Sequence, residues 1–348
     1  MPDPKRVALV LGSGGARGYA HIGAVQVLKE RGYEIAAIAG TSVGAVIGGL
    51  EAAGKLDEYV DWVTTLNARD VLKLMDASPF GAGAIRLERV LARMTDILDG
   101  ARIEELPIPY TAVATDLGAR REVWFTSGPV DVAIRASVAI PGAITPIMVN
   151  GRLLVDGGVL NPVPMDAVLS ADADFTLAVA LSGWTPTNFA SPTRESSETE
   201  PPNEWLDRFM KGAAGIFEND LVASVLARFG GAKETPEPHP LYFEAAPAGL
   251  GIPQVTGMAL DTMSALITRF RLASQPPDVL VTVPNAAART MDFHRASELI
   301  ALGRELTQAA LDDAFGRPES AEPVSPAVPA ELEAAAADQR VTLVDQRS

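Results

Sequence analysis

A serine attacks a carbonyl only if its hydroxyl is presented, its proton has an acceptor, and the oxyanion it creates is held. The stretch Gly40-Thr41-Ser42-Val43-Gly44 meets the first demand. It has the Gly-x-Ser-x-Gly spacing of a nucleophile elbow and lies between an apolar run and a helical pattern. Glycines at both flanks, Gly40 and Gly44, let the backbone turn sharply and leave room beside the serine. A helix that starts at Val43 aims the positive end of its dipole at the serine oxygen. Ser42 is therefore the candidate nucleophile, with an ordinary turn serine as the bland alternative.

The oxyanion needs donors, and Gly12-Ser13-Gly14-Gly15-Ala16-Arg17-Gly18 offers them. As a dinucleotide loop it fails, because Arg17 stands where Gly-x-Gly-x-x-Gly needs glycine and the second strand ends in Ala39-Gly40 instead of an acid. As a phosphate loop it lacks the Gly-Lys-Ser/Thr ending. As an oxyanion hole it makes sense: the consecutive amides of Gly14 and Gly15 sit at a helix N-terminus, with Arg17 adding positive charge. A tight turn needing glycine only for packing is the competing reading.

The proton acceptor must come from elsewhere. The chain has three histidines, His21 inside the first helix, His239 in a proline-rich stretch and His294 at the start of the last helix. Each reads more readily as a structural or solvated residue than as a base. Asp156 is the better candidate. It ends a strand, and Gly157 and Gly158 strip side chains from its surroundings so that a substrate can approach. A free aspartate titrates near 3.9 and is a poor base, so burial must raise it. A triad ending in His294 remains open from the residues alone.

These residues need elements to carry them. Val7–Leu11 and Ile35–Ala39 are short continuous apolar runs, as in strands buried on both faces. Ala20–Glu30 and Val43–Ala53 are helical and stop at Gly32 and Gly54. Strand-helix-strand-helix with short joints predicts a parallel α/β sheet. Helices dominate 55–98, broken at Ser78-Pro79-Phe80-Gly81. Pro109–Ala114 and Glu122–Phe125 read as strands, Val130–Ser137 as a helix, and Ile147–Val149 with Leu153–Val155 as a hairpin about Asn150-Gly151. Phe175–Leu181 and Val279–Val283 are further strands; Met258–Leu272 and Phe293–Ala314 are helices.

Between them, residues 185–254 stand out as an insertion. Thr185–Asn203 is rich in Pro, Ser, Thr and Glu and predicts a mobile loop. Residues 204–229 carry apolar side chains at helical spacing and suit either a helix packed on the core or a lid that dips into a lipid interface. Residues 1–316 make one catalytic domain, and the Pro-, Ala- and Glu-rich 317–348 a disordered tail.

The 348 residues are 47% hydrophobic and carry a net charge of -15. That charge argues against nucleic acid and against electrostatic capture by anionic lipid. The absence of cysteine excludes disulfides and cysteine-ligated zinc. The residues suggest no metal site, and neither a signal peptide nor a spanning segment is legible, so a cytoplasmic protein is expected.

GSGGARG, GTSVG and DGG, in this order, resemble the three signature blocks of the patatin-like phospholipase family. The likeness extends through YTAVATDL, IRASVAIPGAITPI, GRLLVDGGVLNPVP and PPDVLV…MDFHRASELIALG, over most of residues 6–316 and closest to bacterial members. It implies a three-layer α/β/α fold with a central, mostly parallel sheet and a helical insertion. It also implies a Ser42–Asp156 dyad, an oxyanion hole in the glycine loop, no metal or other cofactor, and a lipid or acyl-ester substrate met at most by transient contact with a membrane surface. Ser13 stands where many relatives have glycine; Gly14 and Gly15 remain. Oligomeric state, head group and acyl length are not legible. Against this stand an α/β-hydrolase triad and a non-catalytic lipid-binding protein on the same scaffold.

Overall fold

The computed structural model describes residues 5–74, 83–85, 88–183 and 252–316. The chain divides into two compact units, Met1–Ala310 and Leu311–Ser348; the site residues lie in the first, and the last of the described elements runs past its end. In order these are β1 (Arg6–Leu11), α1 (Tyr19–Glu30), β2 (Glu34–Thr41), α2 (Val43–Ala52), α3 (Leu56–Val63), α4 (Ala68–Leu74), β3 (Gly83–Ile85) and α5 (Glu88–Leu98). Then follow β4 (Tyr110–Asp116), β5 (Arg121–Phe125), α6 (Val130–Ser137), β6 (Gly142–Ile144), β7 (Ile147–Val149), β8 (Arg152–Asp156) and β9 (Phe175–Gly183). The last are α7 (Ile252–Ser274), β10 (Val279–Pro284) and α8 (Ala296–Phe315).

Eight strands form one mixed sheet, and β3 with β6 form a separate two-stranded ladder. The pairs β10–β9, β9–β1, β1–β2 and β2–β4 are all parallel. Their central strands are buried residue after residue, β4 along its whole length, so both faces of the sheet are covered. One face packs Ala8, Val10, Ala39, Ala178 and Ala180 against Val163, Met165 and Val168. The other receives α2, whose Gly48 sits against Ile38 and Leu11. The result is a three-layer α/β architecture.

Antiparallel pairing begins at β4, and it matters for the site. Strand β5 pairs with Ala112–Asp116 of β4. Strand β2 pairs with Tyr110–Val113 and β8 with Ala114–Asp116. Because a strand has only two edges, β2 and β8 must share the edge that β5 leaves free. They run toward each other along it and stop on neighbouring residues: Thr41 lies opposite Val113, and Asp156 opposite Ala114. Mixed topology thus brings two strand ends together that are distant in sequence.

Several expectations need correction. The helix read at Met258–Leu272 begins at Ile252, inside the proline-rich stretch. Pro253 falls in its first turn, where no amide donor is required. The last helix begins at Ala296, because Phe293–Arg295 forms a separate 3-10 turn. The ladder of Gly83–Ile85 with Gly142–Ile144 was not anticipated; three residues are too few to show a period. The hairpin at Asn150-Gly151 is as read, with φ of 49° and 75°, the positive pair a tight two-residue turn demands. The loop at 185–203, the amphipathic stretch 204–229, His239 and the tail 317–348 lie outside the described residues. Among those described, no helix is long and apolar enough to cross a membrane.

Candidate active site

Ser42 follows β2 directly and precedes the first turn of α2, at φ 59° and ψ -126°. That conformation is strained for a residue bearing a Cβ and persists only where the surroundings over-determine it. They do so here. A Cβ on Gly44 would stand 2.0 Å from the Leu11 carbonyl oxygen, and one on Gly40 would stand 2.3 Å from the Gly44 carbonyl oxygen. Only glycine lets the elbow close this tightly against the end of β1.

Asp156 ends β8 in an unstrained conformation, φ -48° and ψ 132°. Its Oδ1 accepts from the Gly158 amide at 2.7 Å, which fixes the carboxylate, and the Ser42 hydroxyl is near enough to favour its ionised form. The carboxyl is 5% exposed, and burial pushes its pKa up from the ordinary value to about 6. The Ser42 hydroxyl and the Gly158 amide pull the other way and lose to desolvation.

The glycine loop reaches the same place. Ser13 Oγ lies 2.9 Å from where a Cβ on Gly158 would stand, so loop and base turn touch. The loop is pinned at both ends: Gly12 N donates to Val179 O, Ser13 N to Pro162 O and Ala16 N to Thr290 O, at 2.8–3.0 Å. Among the described residues, the amides between these anchors, Gly14 and Gly15, donate to no protein acceptor. Arg17 does not point out as a free charge. Its Nε donates to Gly14 O at 3.3 Å and its Nη1 to Asn285 Oδ1 at 2.8 Å. The Gly14 carbonyl and the Gly15 N–H belong to one trans peptide and point oppositely. By holding the first, Arg17 sets the direction of the second.

The histidines do not assemble with these groups. His21 is fully buried, with Nε2 2.8 Å from Gly12 O, so that nitrogen carries the proton. Burial lowers its pKa to about 4, and it supports the glycine loop as a neutral ring. His294 is exposed on its 3-10 turn. Among the described residues no group of three His, Asp or Glu could hold a metal ion.

Two features escaped the sequence reading. An apolar cavity opens at Gly15, walled by Tyr19, Tyr59, Trp62, Ile140 and Phe293. Its aromatic walls are braced edge to face, Tyr19 on Phe293 and Tyr59 on Trp62. The other is Ser137, wholly buried, whose Oγ accepts from the Ser42 amide at 2.8 Å and donates to Val113 O at 2.6 Å. The signal for it was present. Val130, Ala133, Ile134 and Ser137 follow the spacing of a buried helical stripe, and a lone hydroxyl on such a stripe needs partners.

A three-layer α/β protein with a serine elbow at the end of its second parallel strand and a buried carboxylate at the end of the strand that shares its edge is the class that fold and site define. The family model described as "Patatin-like phospholipase" matches residues 9–169. An uncharacterised NTE family protein of Mycobacterium bovis is 45% identical over 334 residues, covering 88% of this chain and 91% of that protein. Lysophospholipase NTE1 of Mycosarcoma maydis is 30% identical over 188 residues, covering 50% of this chain and 9% of its own length. The solved structure of VipD from Legionella pneumophila aligns with a TM-score of 0.40 and 15% identity, covering 87% of this chain and 67% of that one. The chain belongs to the patatin-like phospholipase family, whose members are generally lipid hydrolases.

Proposed function

We propose that this chain is a serine lipid acyl hydrolase that cleaves carboxylic esters of phospholipids or lysophospholipids through an acyl-enzyme. The observation that carries the reading is that β2 and β8 stop opposite neighbouring residues of β4, which sets Ser42 beside a buried Asp156 whose pKa is raised to about 6. A carboxylate near that value is ionised at neutral pH and still basic enough to take a proton in a transition state.

Ser42 Oγ attacks the ester carbonyl carbon as its proton passes to Asp156. The carbonyl π electrons move onto oxygen, and the Gly14 and Gly15 amides receive that oxyanion; one such donor contributes about 3 kcal/mol. Collapse expels the alcohol, which takes the proton from Asp156 and leaves the acyl group on Ser42. Water then attacks the acyl-enzyme, giving its proton to Asp156, and the proton returns to Ser42 Oγ as the fatty acid departs. The apolar cavity beside Gly15 suits the acyl chain.

The test is a substrate panel on wild type beside Ser42→Ala: short p-nitrophenyl esters, lysophospholipids, diacyl phospholipids and acyl-CoA, with fluorophosphonate labelling in parallel. Hydrolysis and labelling lost together in Ser42→Ala support the reading. Labelling that survives there removes it, and folded wild type that neither labels nor turns over would leave a lipid-binding protein on the same scaffold.

A further inference from the structure

Strands β2 and β8 bring their ends together on one edge of β4, and the distance at which those ends stop sets the distance between Ser42 and Asp156. One short segment grips both. Ser137, the last residue of α6, accepts the Ser42 amide at 2.8 Å, and the carbonyl of Ala139 accepts the Asp156 amide at 2.9 Å. A single intervening residue, Val138, separates the two grips. The segment is tied to the sheet by the Ser137 hydroxyl, which donates to Val113 O at 2.6 Å. Val113 is the β4 residue opposite Thr41, and its carbonyl is also the surface on which the base turn sits: a Cβ on Gly157 would stand 2.2 Å from it.

We infer that Ser137 is a positioning residue for this reaction, its hydroxyl clamping the strained nucleophile elbow at a fixed separation from the base. The inference rests on the Ser42–Asp156 reading above. A hydroxyl suits the task because it accepts and donates at once, linking the amide of the nucleophile to the strand between nucleophile and base. Without it the Ser42 amide, buried at the turn, loses its acceptor, and a backbone held at φ 59° loses one of the contacts that over-determine it. Ser137 touches neither substrate nor reacting atoms; it acts through Ser42.

The experiment compares wild type with Ser137→Ala on a soluble p-nitrophenyl ester and with a fluorophosphonate probe. Displacing a reacting group by even a fraction of its contact distance is expensive in rate, so kcat should fall about 100-fold while KM stays within about twofold. Probe labelling should slow in proportion. The acid limb of the pH profile should move to higher pH, because the Ser42 hydroxyl beside it helps hold Asp156 ionised. Ser137→Cys, similar in size but a poor acceptor, should behave alike, and Ser137→Thr, which keeps the oxygen, should recover most of the rate. A folded alanine variant with kcat within about threefold of wild type overturns the inference, as does a loss shared by kcat and KM with the acid limb unmoved. If the alanine variant does not fold, the cysteine variant decides by the same criteria. Failure of the underlying reading shows separately, as unchanged labelling of Ser42→Ala.

Discussion

The two strand ends that meet on β4 bear different burdens. At the end of β2 the burden is conformational: Ser42 sits at φ 59°, and two glycines yield space for it. At the end of β8 the backbone is relaxed and the burden is electrostatic, a carboxylate kept from water with its pKa raised to about 6. A nucleophile has to be aimed, and a base has to be tuned. The division implies that changes on the serine side act through geometry, and changes on the aspartate side through proton affinity.

The sharpest way to break this contrast is to remove each side chain in turn. Ser42→Ala should lower kcat by about 10⁴- to 10⁶-fold and abolish fluorophosphonate labelling. Its thermal stability should barely change, because the strain lies in the backbone and stays. Asp156→Asn should lower kcat by about 10³- to 10⁴-fold and also stabilise the fold at pH 8. Burying an ionised carboxylate that titrates near 6 instead of 3.8 costs the native state on the order of 3 kcal/mol. Below pH 3.8 the group is protonated whether folded or unfolded, so the stabilisation should vanish there. Thermal melts at pH 8 and pH 3.5 check the sign. An asparagine variant less stable than wild type at pH 8 would mean that the carboxylate is not carrying a desolvation burden.

The serine side was far more legible in sequence than the aspartate side, and the physics of the two explains why. An elbow is local: strand, glycine, serine, glycine and helix all fall within Glu34–Ala52, and the backbone they need is written in their types. The base is non-local. Asp156 could be picked out by its two glycines, but its raised pKa comes from burial by elements scattered along the chain. Its place beside Ser42 comes from an antiparallel strand sharing an edge with a parallel one, and strand period gives no hint of shared edges. Ser137 was legible only as a hydroxyl on an apolar stripe. Arg17 was read as a bare charge at the oxyanion, whereas its guanidinium is occupied by the Gly14 carbonyl and Asn285, 268 residues away.

A smaller effect separates stability from activity. Two buried groups titrate in overlapping ranges with opposite sign. His21 has a folded pKa lowered to about 4, so the stability it contributes is complete above its unfolded value of 6.5 and is lost as pH falls toward 4. Asp156 has a folded pKa raised to about 6, so its contribution is complete below 3.8 and is lost as pH rises through 6. Between pH 4 and 6 the two slopes oppose each other and nearly cancel. Activity has no such compensation: kcat/KM should show an acid limb with a midpoint near 6, because only ionised Asp156 can take the proton. Asp156→Asn should unmask the histidine, and its stability should then rise from pH 4 to 6.5 more steeply than that of wild type. Melting temperatures of the two proteins across this range, beside the kcat/KM profile of wild type, would reveal the divergence. Parallel melting curves would remove the claim.

The smallest predicted effect belongs to His294, and it tests whether the base side needs a relay at all. In a triad the carboxylate orients an imidazole, and the imidazole takes the proton. Here Asp156 accepts from the Gly158 amide and lies near enough to Ser42 to feel its hydroxyl, and neither His21 nor His294 is bonded to either residue. His21 is engaged with Gly12 O from within the fold, and His294 is exposed on a turn. Replacing His294 with Gln should therefore leave kcat/KM within about twofold of wild type, the scale of ordinary surface substitutions. A loss of 100-fold or more would place an imidazole in the proton path. The raised pKa of Asp156 would then belong to an acid that orients a base instead of one that serves as it, and the contrast between an aimed nucleophile and a tuned base would no longer hold.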